Sequence, residues 1–111
     1  MARISTHVLD IAKGAPAPGV TVELYLNGKQ VATAKTNQDG RTDKPLLEAD
    51  SIQTGTYDLL IHAGEYLKAA GTTDPLFFDV IRLEFFVTDA AGNYHVPLLL
   101  AAHGYSTYRG S

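Results

Sequence analysis

The chain's 111 residues are 45% hydrophobic and 19% charged, which suits a folded globular protein and argues against a disordered one. A net charge of -3 argues against a nucleic-acid surface, which needs clustered Lys and Arg, and the lack of any cysteine excludes disulfides, zinc–thiolate centres and a thiol nucleophile together. At this length one domain over residues 1–111 is expected, burying roughly 65% of the surface that the unfolded chain exposes.

Met1 to His7 lacks the apolar run of a signal peptide, and no stretch approaches the ~20 apolar residues of a membrane span, so a cytoplasmic protein with no membrane partner is expected. In Ile4-Ser5-Thr6-His7-Val8-Leu9-Asp10, strand alternation puts Ile4, Thr6 and Val8 on the face opposite His7. Ala15-Pro16-Ala17-Pro18-Gly19 reads as a stiff surface loop. Val20, Val22, Leu24 and Leu26 then alternate with polar residues, Asn27-Gly28 is a two-residue hairpin signal, and Val31 to Thr36 runs back. A turn at Asn37-Gln38-Asp39-Gly40 leads directly into Arg41.

Tyr57, Leu59 and Ile61 alternate again, Gly64 to Ala70 is the one stretch that suits a helix, and Ile81, Leu83, Phe85 and Val87 form a further strand. After the turn from Asp89 to Asn93, Tyr94 to Ala102 is strand-like, with His95, Pro97 and Leu99 on one face. Pro97 cannot donate to a ladder, so an edge strand or a bulge is expected there. The tail from Tyr105 to Ser111 also alternates, which would put Arg109 and Ser111 on one face. Short strands with regularly spaced turns predict an all-β sandwich or barrel with one short helix.

Common catalytic motifs are absent: no G-x-G-x-x-G, no P-loop and no H-E-x-x-H, and Ser106 lacks the second glycine of a nucleophile elbow. His7, His62, His95 and His103 have no i, i+4 spacing, so no metal site is expected. Taken singly, a histidine on a strand is more often structural than catalytic, and an arginine after a turn is more often solvated.

Four segments taken together resemble the 5-hydroxyisourate hydrolases, the transthyretin-related enzymes of purine breakdown. They are Ser5-Thr6-His7-Val8-Leu9-Asp10, Gly40-Arg41-Thr42, Tyr94 to Leu100, and the tail Tyr105 to Ser111 ending Tyr-Arg-Gly-Ser. The likeness is weaker from about Glu48 to Asp79. It implies a transthyretin-like antiparallel β-sandwich with one short helix, assembled as a homotetramer, a dimer of dimers with sites in the channel between dimers. The implied reaction is hydrolysis of 5-hydroxyisourate to 2-oxo-4-hydroxy-4-carboxy-5-ureidoimidazoline, with no metal or organic cofactor.

By the same resemblance His7, Arg41, His95 and Ser111 are catalytic, and Arg41, Tyr108, Arg109, Gly110 and Ser111 bind substrate, while His62 and His103 stay structural. Such a reaction needs a base for water, a donor for the developing oxyanion and planar hydrogen bonding to the ring. Histidine titrates near neutral pH, and arginine forks match oxygen-rich rings. Ser111 would add a hydroxyl and a terminal carboxylate. The alternative is a non-enzymatic transthyretin-like carrier of a small aromatic ligand, whose channel would be aliphatic rather than lined by histidine and arginine.

Overall fold

The computed structural model describes residues 1–73 and 75–111. Alternation of apolar and polar residues sets its layers. In β1 (Ala2–Asp10), Ala2, Ile4, Thr6, Val8 and Asp10 are buried, while Arg3, Ser5, His7 and Leu9 point outward. The same two-residue period recurs in β3 (Thr21–Leu26), which buries Val22 and Leu24, and in β7 (Val80–Val87), which buries Ile81, Leu83 and Val87. Each inward face needs a partner, and two sheets packed face to face provide it.

One sheet runs β4 (Lys29–Lys35), β3, β6 (Gly55–His62), β7, all antiparallel. The other holds β1, β8 (Asn93–Leu100) and β9 (Tyr105–Thr107), with β2 (Ala15–Pro16) and β5 (Leu47–Ala49) sharing the free edge of β1. Between them lie the fully buried Ile4, Leu24, Tyr57, Leu59, Ile61, Leu98 and Leu100. Each such side chain contributes roughly 1.5–3 kcal/mol of hydrophobic stabilisation. The expected sandwich with one short helix is what the chain forms, its helix α1 (Ala63–Ala69) lying one residue earlier than the expected Gly64 to Ala70.

Local chemistry explains the connections. Asn27 and Gly28 both adopt positive φ, 48° and 84°, the twist that a two-residue hairpin needs. The Tyr66 hydroxyl of α1 donates to the buried Asp10 carboxylate at 2.6 Å, tying the helix to the end of β1. That bond and burial push the Tyr66 hydroxyl up to about 12, burial being the larger cause.

Two expectations need correction. The loop at Ala15 to Gly19 starts with a short strand, Ala15–Pro16, and buries Ala17 completely. Pro97 sits neither on an edge nor at a bulge: β8 lies between β1 and β9. The missing donor is accommodated by a gap in the ladder. Leu98 pairs with Thr107 and His95 with Gly110, which brings Tyr108 opposite Pro97, and there the Pro97 carbonyl accepts from the Thr107 hydroxyl at 2.8 Å.

Candidate active site

The site is built on the outer face of the sheet that contains β1 and β8. These strands run parallel, with Ser5 opposite His95 and His7 opposite Pro97. Because Ile4, Thr6 and Val8 must face the core, Arg3, Ser5 and His7 are forced outward, and the inward Tyr94 and Val96 send His95 to the same outer face. The Ser5 hydroxyl lies 2.8 Å from His95 Nδ1, a bond between side chains 90 residues apart.

Arg41 arrives on the turn after β4. Asn37 organises it: the side-chain oxygen accepts from the Asp39 N–H at 2.9 Å, and the carbonyl accepts from the Gly40 N–H at 2.9 Å. Gly40 has φ of +75° and lies against β1 so closely that a Cβ would overlap the Val8 carbonyl oxygen. Val8 N–H donates to the Gly40 carbonyl at 2.8 Å, and Arg41 pairs with His7 by an isolated bridge. His7 Nε2 donates to the Asp39 carbonyl at 2.9 Å, so neutral His7 carries its proton on Nε2 and leaves Nδ1 as the basic nitrogen.

The tail closes the arrangement from the other edge. Gly110 N–H donates to the His95 carbonyl at 2.8 Å, and its Cα lies so near the imidazole that a Cβ would stand 2.6 Å from His95 Cδ2. An open cleft of about 390 Å³ is lined by Arg3, Ser5, Arg41, Asn93, His95 and Ser111. Burial first, then the positive charge of Arg41 and that of His7 when it carries a second proton, pushes the His95 imidazole below its ordinary value of 6.5. It is therefore neutral at pH 7, in a cleft whose arginines favour oxygen-rich, electron-rich ligands.

Three of the expected residues thus line one cleft: Arg41, His95 and Ser111. His7 stands at its border, bridged to Arg41, and Gly110 covers the His95 ring. Tyr108 and Arg109 go elsewhere. They line a separate groove of about 230 Å³ beside β7, where the Arg109 guanidinium sits 4.4 Å from the centre of the Tyr94 ring and donates to the Asn93 carbonyl at 3.1 Å. The expectation that Arg109 and Ser111 share a face fails at the last residue: from Thr107 to Gly110 the tail keeps one register with β8, which sets Arg109 opposite Val96, and Ser111 lies beyond the final bridge. His62 is on the other sheet, 3.3 Å from Glu23, and His103 is exposed between β8 and β9.

Arg3, Ser5 and Asn93 line the cleft without having been singled out from the sequence. The signal for Arg3 and Ser5 was available, since alternation places them on the His7 face. Among the described residues no cluster of three or more His, Asp or Glu could hold a metal ion, and no helix is long and apolar enough to cross a membrane.

A 5-hydroxyisourate hydrolase of Rhizobium meliloti (strain 1021) is 50% identical to this chain, the alignment covering 98% of this chain and 96% of the relative. Among solved structures, a 5-hydroxyisourate hydrolase of Klebsiella pneumoniae superposes with a TM-score of 0.86 at 38% identity, covering 98% of this chain and 99% of that one. Transthyretin from Sparus aurata gives the same TM-score, 0.86, at 25% identity over 97% of this chain and 96% of its own. The model of the HIUase/Transthyretin family matches residues 4–110, and the chain belongs to that family.

Proposed function

We propose that this protein hydrolyses 5-hydroxyisourate to 2-oxo-4-hydroxy-4-carboxy-5-ureidoimidazoline. The observation that carries the reading is the meeting of Arg41, His95 and Ser111, from three distant segments, in one polar cleft bordered by His7. An apolar-ligand carrier has no use for such a lining. The arginine fork of Arg41 holds the oxygen-rich ring. A histidine draws the proton from water as it attacks the ring carbonyl, donors facing the cleft stabilise the oxyanion, and its collapse breaks the ring C–N bond as the histidine returns the proton to the departing nitrogen. Ser111 and Gly110 of the tail confine the ring. The chemistry needs only a base, donors and water, so the proposed reaction uses no metal or organic cofactor.

The outer face that carries the cleft is open in a single chain, and water-exposed donors are weak. We therefore propose the homotetramer, a dimer of dimers, as the working form, with facing sheets enclosing a channel. Both readings have direct tests. 5-Hydroxyisourate generated with urate oxidase should decay faster when the protein is added, with or without chelator, and light scattering should give four times the 11.9 kDa chain mass. Unchanged decay in the presence of folded protein would refute the hydrolase reading, and a fully active monomer would refute the channel.

A further inference from the structure

The two histidines of the site have different partners, and the partners separate their roles. His7 faces a carbonyl oxygen, which can only accept, so its Nε2 must carry the proton. His95 faces a hydroxyl, which can do either. Ser5 Oγ has no other hydrogen-bond acceptor among the described residues, so an Oγ that accepted from Nδ1–H would leave its own proton without a protein partner. A donating Ser5 satisfies that proton and fixes the ring: Nδ1 accepts, and Nε2 carries the hydrogen.

We propose that Ser5 is a positioning residue that holds His95 with Nδ1 as acceptor and Nε2–H free to donate into the cleft, making His95 the oxyanion donor and leaving the base role to His7. The inference rests on the hydrolase reading for its kinetic consequence only. The charged groups around the ring agree with it. Burial first, then the Arg41 guanidinium and a His7 ring that carries a second proton, disfavour a second proton on His95, while Arg3 of β1 lines the same cleft. A neutral imidazole beside a guanidinium is a poor base and a good fixed donor. Gly110 lies against the ring on its Cδ2 side, so close that a Cβ there would overlap it.

The test is Ser5→Ala, read in two ways. Long-range proton–nitrogen correlation spectra of the wild type at pH 8 should show His95 as a single Nε2–H tautomer with a hydrogen-bonded Nδ1. In Ser5→Ala that Nδ1 signal should move to the value of a free lone pair or average between tautomers. Turnover should fall in kcat by ~10-fold or more with KM little changed, since loss of a full oxyanion donor costs about 10²–10³ and a misheld one costs part of that. A wild-type Nδ1–H tautomer overturns the proposal, as does a Ser5→Ala protein with unaltered ring signals or unaltered kcat. The spectra need no substrate. A wild type with the Nε2–H tautomer but no hydrolysis would remove the hydrolase reading and leave the control of His95 by Ser5 standing. If Ser5→Ala does not fold, the wild-type spectrum alone decides.

Discussion

Gly110→Ala is the sharpest perturbation of the site. The added methyl carbon would stand 2.6 Å from His95 Cδ2 and 3.3 Å from Cγ, against an ordinary contact of 3.4 Å or more, so ring or tail must move by about 1 Å. The ring is held by Ser5 and the tail by the Gly110–His95 backbone bond of 2.8 Å, so the cheaper escape loses one hydrogen bond. That costs about 1 kcal/mol, a fall in melting temperature of roughly 4–6 °C. Activity should suffer far more, because a misplacement of ~1 Å at reacting groups can cost about 10²-fold. The assay is steady-state turnover of freshly generated 5-hydroxyisourate beside a thermal melt. A Gly110→Ala enzyme with wild-type kcat/KM would show that the packing of the tail on His95 has no part in the chemistry.

Replacing His7, Arg41 or His95 by a neutral residue should lower turnover at least ~100-fold with the fold intact by circular dichroism, whereas His62→Asn, on the other sheet, should stay near wild type. Because the folded state holds His95 below 6.5, its contribution to stability is complete above about pH 6.5 and is lost as pH falls from there through the folded value. Melts from pH 8 to pH 5 should show a decline that is shallower in His95→Asn; equal slopes would contradict the assignment. Tyr66→Phe removes the donor from the buried Asp10 carboxylate and should cost about 1.5–3 kcal/mol in denaturant melts.

Much of the architecture was legible because single residues speak for their strand. Val22 and Leu24, or Ile81 and Leu83, alternate long enough to mark an inner face, and Asn27-Gly28 marks its hairpin. β5 escaped notice because three residues, Leu47 to Ala49, are too few to display a period. Pro97 misled because a missing donor suggests an edge, whereas here the strand has a neighbour on both sides and only the pairing beside Pro97 is interrupted, with the register kept. At the site, the family resemblance pointed to His7, Arg41 and His95, which taken singly read as structural or solvated, and the register with β8, unchanged from Thr107 to Gly110, sets Arg109 opposite Val96. Alternation along the tail alone could not say that Ser111 leaves the pattern beyond the last bridge, nor which of the two faces carries Arg109. Its place over Tyr94, whose hydroxyl accepts from the Thr88 and Asp89 amides at 3.1 and 3.0 Å, makes it an anchor for the tail.

The parallel pairing of β1 with β8 has a kinetic consequence. Ser5 and His95 meet although they stand 90 positions apart in the chain, and closing so long a loop is slow because its entropy must be lost before any contact rewards it. On the ribosome β1 emerges early, and the edge that pairs with β8 stays without its partner until β8 is made. Site and topology are therefore completed in one late event: a nascent chain that lacks β8 has neither the cleft nor a finished sandwich.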